Sequence, residues 1–221
     1  MSQSNMSTEA NIASAAQAWY GHLEQRRPLL VVLSGPSGVG KDVTIACMKE
    51  QGYPCHFVVT TTTRLRRPNE TDGVDYNFVS EAVFQEMIAR GELLEHATVY
   101  GQYKGIPKAS VQVALESGLD AIIRVDVQGA ARLREVAPQA VTIFLTAESE
   151  EALIRRLRQR STDSEAQLQK RIETARAELL RASEFNYRIV NRENALCETM
   201  GQVIAIIQAE KCRMDWQPVS L

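Results

Sequence analysis

An apolar run, Leu29 to Ser34, leads straight into Gly35-Pro36-Ser37-Gly38-Val39-Gly40-Lys41-Asp42, and an amphipathic stretch begins directly behind it. This fits the phosphate-loop pattern G-x-x-x-x-G-K-[ST] at every defined position but the last. The spacing has a physical reason. Glycines let successive backbone N–H groups turn inward around a β-phosphate, the helix start adds partial positive charge, and Lys41 reaches toward a γ-phosphate. Strand, loop, lysine and helix in that order point to a phosphate-binding βα unit rather than an ordinary turn. Asp42 stands where a hydroxyl normally meets Mg2+. A carboxylate is also a magnesium ligand, directly or through water, but it adds negative charge beside the phosphates. It would serve equally as a stabilising acid at the helix start, and both readings stay open. Thr44 does not substitute, because two residues further along a helix it points about 200° away.

The rest of the chain continues the alternation that this unit begins. Short apolar runs at Leu29–Ser34, Cys55–Thr60, Ala121–Val125, Val141–Leu145 and Tyr187–Val190 read as strands. Their near-continuous hydrophobicity suits strands covered on both faces. Helices are predicted at Asp42–Gln51, Lys108–Ser117, Gln128–Val136, Glu148–Arg160, Glu165–Ser183 and Ala195–Lys211. The fold class is therefore α/β, a five-stranded parallel sheet flanked by helices. The stretch from Thr61 to Gly105 breaks the rhythm with turn signals around a short predicted helix, Glu81–Arg90, and reads as a small mixed β insertion able to close over a substrate. Residues 1–28 read as an N-terminal extension, polar at first, then a predicted helix from Glu9 to Arg27 closed by Pro28.

The formal net charge of −2 excludes a broad basic surface for nucleic acid or an anionic membrane, so any anion binding must be local. Four cysteines without a C-x-x-C pair, and three histidines that do not cluster with them, exclude a zinc site and a disulfide framework as expectations. With no apolar run long enough to cross a bilayer, the expectation is a soluble, cytoplasmic protein.

A second cationic group follows the second strand. Arg64 and Arg67, three apart beside the turn Arg67-Pro68-Asn69, suit capture of a phosphate edge, and Tyr76 can add a hydroxyl donor. The plain alternative is a basic surface turn with a packed tyrosine. Glu95, at the end of an apolar run, could accept the paired N–H donors on the edge of guanine, a pattern adenine lacks, or could be an exposed strand-end acid.

The segments Thr60 to Glu70, Asp72-Gly73-Val74-Asp75-Tyr76-Asn77-Phe78, Gly91-Glu92-Leu93-Leu94-Glu95, Gly105-Ile106-Pro107-Lys108 and Val125-Asp126-Val127-Gln128-Gly129 together resemble the guanylate kinase family. The likeness resumes in Arg160-Ser161-Thr162-Asp163-Ser164-Glu165 and Ile189-Val190-Asn191 and spans about Leu29 to Glu210. It implies a phosphate-loop kinase with a helical lid that moves the terminal phosphoryl of ATP onto GMP or dGMP, with Mg2+ as cofactor, in purine nucleotide metabolism. It assigns catalysis to Lys41, Arg64, Arg160 and Arg171, and ATP binding to Gly35, Pro36, Ser37, Gly38, Val39, Gly40, Lys41, Asp42 and Asn191. It places GMP on Thr60, Arg64, Arg67, Glu70, Tyr76, Glu95 and Lys104, and the metal on Asp42 and Asp126, partly through water. Asp126 could equally hydrogen-bond the loop, and Asn191 could be a turn asparagine.

Four positions depart from the family pattern. Besides Asp42, Lys104 stands for a tyrosine, Ile106 for a hydroxyl residue, and Arg124 for an acid, where its charge could offset Asp42. The implied boundaries are an extension at 1–28 and a kinase-like domain at 29–211, with core 29–60 and 107–211, insertion 61–106 and a lid at about 155–175, then a tail at 212–221. Two alternatives remain at this point, a ribose bisphosphate kinase related to this family and a noncatalytic module of the same fold. Oligomeric state is not legible.

Overall fold

The computed structural model describes residues 14, 15, 17, 27–68, 70–99, 101–159 and 165–221. The predicted helix Glu9–Arg27 lies almost wholly outside these, as do Arg160 and the polar turn at 161–164.

At the centre is strand β1 (Leu30–Ser34), buried at all five positions. Its side chains divide by parity, as a strand covered on both faces requires. Val31 and Leu33 join one core cluster with Met48, Leu153, Leu157, Ile172, Val203 and Ile207. Leu30 and Val32 join the other with Val111, Ala114, Ala130 and Leu133. Around β1, strands β2 (Cys55–Phe57), β7 (Asp120–Arg124), β8 (Val141–Ala147) and β9 (Tyr187–Asn191) complete a parallel sheet in the order β2-β7-β1-β8-β9. Helices α1 (Lys41–Glu50), α5 (Glu150–Gln159), α6 (Glu165–Leu179) and α7 (Leu196–Lys211) supply the first cluster. Helices α3 (Lys108–Glu116) and α4 (Val127–Val136) supply the second.

The expected strand Cys55–Thr60 proves shorter because its end is shared between two sheets. Val58 N–H still donates to the Ile122 carbonyl at 3.0 Å, whereas the Thr60 carbonyl already accepts from Asn77 N–H at 2.9 Å. There the chain enters a second, mixed sheet of β3 (Thr61–Thr62), β4 (Asn77–Phe78), β5 (Leu93–Val99) and β6 (Gln102–Pro107), ordered β4-β3-β6-β5. The pair β3–β4 is parallel and the other two are antiparallel. Helix α2 (Glu81–Ala89), capped by the Ser80 hydroxyl, inserts the fully buried Phe84 against Tyr103 with ring centroids 5.3 Å apart. Gly105 permits this, since a Cβ there would lie 2.9 Å from the Phe84 ring and 2.8 Å from Leu93.

Asp120, 2% exposed at the start of β7, joins the two ends of the domain. Its carboxylate accepts from Leu29 N–H at 2.9 Å and from Lys211 Nζ at 2.7 Å. Replacing it would leave a buried amide and a nearby ammonium without their acceptor, so Asp120→Ala is expected to cost about 3 kcal/mol in urea-unfolding stability. Lys211→Met, which leaves the amide bond in place, is expected to cost less.

Candidate active site

The carboxyl ends of β1 and β7 open into a cleft of about 470 Å3, closed on its far side by the second sheet. This is where an open α/β sheet ordinarily binds its ligands. The phosphate loop forms one wall, from Gly35 to Asp42, while Thr60, Tyr76, Glu95, Lys104 and Ile106 form the other. Arg124 and Asp126 lie between them, and Arg171, Thr174 and Glu178 of α6 complete the enclosure.

The loop has the backbone that its glycines allow. Gly35, Gly38 and Gly40 have φ of 132°, 85° and 99°. Gly35 also passes so near the Leu145 carbonyl that a Cβ would collide with it, and one on Gly40 would strike the Asn191 carboxamide. Lys41 folds over its own loop, donating to the Pro36 carbonyl at 3.0 Å and to the Gly35 carbonyl. Burial pulls its ammonium down to about 8, against the opposing pull of Glu178, Asp42 and Asp126.

Asp42 lies in the cleft, ion-paired with Arg124. The charge offset anticipated for these two residues is thus visible as a direct contact. Asp126 is the N-cap of α4, accepting from Gly129 N–H at 2.8 Å, while it still lines the cleft. Asn191, for which the resemblance implies a nucleotide contact, is tied into the protein. It is 6% exposed, its Nδ2 donates to the Val39 carbonyl at 2.8 Å, and its Oδ1 accepts from the Thr199 hydroxyl at 2.9 Å. With both ends engaged, the side chain holds the loop at Val39.

On the opposite wall, Arg64 and Glu70 form a bidentate pair at 2.8 and 2.7 Å, which holds the Glu70 carboxyl down at about 2. The Arg64 guanidinium lies 5.2 Å from the Tyr76 ring centroid, and Arg124 lies 5.2 Å from the same ring. Tyr76 is thus near two guanidiniums, Arg64 beyond the end of β3 and Arg124 at the end of β7. Glu70 also accepts from the Arg67 backbone N–H at 2.9 Å, and the Arg67 residue is exposed. Thr60, Tyr76, Glu95 and Lys104 face the cleft together; Arg64 stands behind Tyr76, and Arg67 is not drawn in. Arg171 reaches the cleft, whereas Arg160 lies outside the described residues.

Two participants escaped sequence reasoning. Glu178 follows Arg171 and Thr174 at the i, i+3, i+7 spacing of one helix face, a signal that was available. Burial raises its carboxyl while Lys41 opposes the shift. Arg132 gave no such signal, for its partner Glu95 is distant in sequence; its Nε lies 2.7 Å from the Glu95 carboxylate. Glu95 itself is 8% exposed, not a solvated strand end, and burial raises its carboxyl against the pull of Arg132.

Among the described residues no cluster of three or more His, Cys, Asp or Glu could cage a metal. The oxygen donors that face the loop, Asp42 and Asp126, suit a cation held chiefly by substrate phosphates and water, as Mg2+ usually is.

A family model for guanylate kinase matches residues 25–210. The chain is 48% identical over 196 residues to guanylate kinase 2, chloroplastic/mitochondrial, of Oryza sativa subsp. japonica, an alignment covering 88% of this chain and 69% of that one. It is 40% identical over 196 residues to a guanylate kinase of Desulfitobacterium hafniense, covering 89% and 97%. Among solved structures, a guanylate kinase from Anaplasma phagocytophilum superposes with a TM-score of 0.72 at 28% identity, over 87% of this chain and 91% of that one.

The geometry generates two expectations. Above about pH 8 the free Lys41 is increasingly neutral and must take up a proton to meet a phosphate. ATP affinity should therefore fall by up to about tenfold per pH unit there, with proton uptake measurable by titration calorimetry in buffers of different ionisation heat. Asn191→Ala should release the loop and raise the KM for ATP about tenfold while leaving the KM for the second substrate nearly unchanged.

Proposed function

The chain belongs to the guanylate kinase family, and from that footing we propose that it transfers the γ-phosphoryl group of ATP to the phosphate of GMP or dGMP, giving ADP and the nucleoside diphosphate. One observation carries the reading. A single cleft has a phosphate loop on one wall and, on the other, a buried carboxylate with cationic groups around it. Two anionic substrates placed there would meet end to end.

In this reading an oxygen of the acceptor phosphate attacks the γ-phosphorus in line, forming the new O–P bond as the bond to the β,γ-bridging oxygen breaks. The acceptor oxygen is already ionised near neutral pH, so no general base is needed. The protein supplies position and positive charge. Lys41 and the loop amides hold the β- and γ-phosphates, and Arg171 approaches the equatorial oxygens from α6. Arg160 would join it from the lid at about 155–175. Arg64, held by Glu70 and packed near the Tyr76 ring, would present a fixed cation to the acceptor phosphate, with Lys104 lining the cleft and Arg67 joining from its exposed turn. Closure of the insertion, residues 61–106, onto the core would bring that group to the loop. When bound, Mg2+ would neutralise phosphate charge, and Asp42 and Asp126 are the residues that would hold it, partly through water.

The buried Glu95 is what separates this reading from a sugar bisphosphate kinase, which has no base to recognise. We place the reaction in the cytoplasm; no helix among the described residues is long and apolar enough to cross a membrane. A fluorescent fusion confined to an organelle would overturn that placement.

A coupled ADP-release assay with GMP, AMP and ribose bisphosphate tests the function. GMP should be preferred to AMP by roughly ten-thousand-fold in kcat/KM, since a site built on hydrogen-bonding groups rejects a base that leaves them unpaired. Turnover of the sugar bisphosphate alone, or of nothing, would overturn it. Glu95→Ala should lower kcat/KM for GMP on the order of 100-fold with the KM for ATP unchanged; equal losses for both would remove Glu95 from base recognition.

A further inference from the structure

The reading of Glu95 as the base-recognising carboxylate leaves unexplained how an anion survives in so dry a position. Its side chain is 6% exposed and belongs to the second sheet, yet its ion-pair partner, Arg132, comes from α4 on the core. Arg132 places Nε at 2.7 Å and a terminal guanidinium nitrogen at 2.5 Å from the same oxygen, Oε1. The other oxygen, Oε2, lies beside the first turn of α4, where a Cβ on Gly129 would come within 3.5 Å of it. Gly129 and Glu95 both line the cleft, and the Arg132 contacts fall on Oε1. Ile106, 1% exposed on the same wall, contributes neither donor nor acceptor.

We propose that Arg132 is a positioning residue for base selection: by occupying Oε1 it keeps Glu95 an anion and fixes its rotation, leaving Oε2 as the acceptor for the N–H edge of guanine. The inference rests on the GMP reading and deepens it. A protonated Glu95 would turn an O–H donor toward N–H donors, so the site would lose both its attraction and its polarity. An unpaired carboxylate buried this far would neutralise itself rather than stay charged.

The charged surroundings of Glu95 agree with that division of labour. Burial raises its carboxyl, the hydrogen bond and charge of Arg132 lower it, Asp126 raises it further, and His96 on its own strand lowers it. Lys104, across the β5–β6 ladder, is paired in register with Ala97.

The test uses the full chain and steady-state kinetics with ATP and GMP between about pH 5 and 9. Arg132→Met is expected to raise the KM for GMP about 10- to 100-fold at neutral pH, with kcat at saturation within about threefold and the KM for ATP unchanged. The acid limb of kcat/KM for GMP should also move to higher pH by about one unit or more. Arg132→Lys, which keeps the charge, should recover most of both effects. A merely structural tie between the two lobes would instead lower the melting temperature and raise both KM values without moving the acid limb, and that result overturns the proposal. So does an Arg132→Met enzyme with the wild-type KM for GMP. If the Met variant does not fold, Arg132→Gln, which also removes the charge, carries the same comparison, and an acid limb and a GMP affinity equal to wild type overturn the proposal. Wild-type turnover of GMP separates the two levels: its absence sinks the functional reading and the proposal together, its presence isolates Arg132.

Discussion

The close approach of Gly35 to the Leu145 carbonyl governs the rest of the site. No side chain fits between these two backbones, so the chain leaving β1 stays pressed against β8 until it turns. From that fixed point Gly38 and Gly40 carry the loop around, and α1 begins with Lys41 already over the cradle. Asn191 fixes the far side by holding the Val39 carbonyl, while Arg156 holds the Asn191 carbonyl at 3.0 Å. A backbone held at both ends can present its N–H groups to phosphate without reorganising when charge develops, which is the condition for electrostatic catalysis.

The cleft is economical with charge. Three cations at or beside the cleft have an anion close by: Arg64 has Glu70, Arg124 has Asp42, and Lys41 feels Glu178. Substrate phosphates would compete with these carboxylates rather than enter a field of bare positive charge. Tyr76 has both the Arg64 and the Arg124 guanidinium near its ring.

Most of the scaffold was legible in the sequence because both of its determinants are local. Five short apolar runs specify buried strands, and the glycine-lysine loop announces the turn from β1 into α1. What was not legible depends on contacts between distant residues. Cys55–Thr60 reads as one strand, but its last residue is claimed by Asn77 of the second sheet. Asn191 stands at a strand end where an asparagine ordinarily marks a turn, and only the fold shows Val39 and Thr199 closing on its amide. Arg132 has no local pattern to distinguish it from a solvated helix arginine, and its pairing with Glu95 exists only once α4 packs on β5. Glu178 could have been found by extending the helical face of Arg171 by two turns.

The central claim is that both nucleotides occupy one continuous cleft with their phosphates meeting end to end. A dinucleoside pentaphosphate, adenosine at one end and guanosine at the other, tests it directly in a calorimetric competition experiment. The account predicts a single molecule bound per chain, displacing an ATP analogue and GMP together. Displacement of the ATP analogue alone, with GMP still bound at full occupancy, would contradict it.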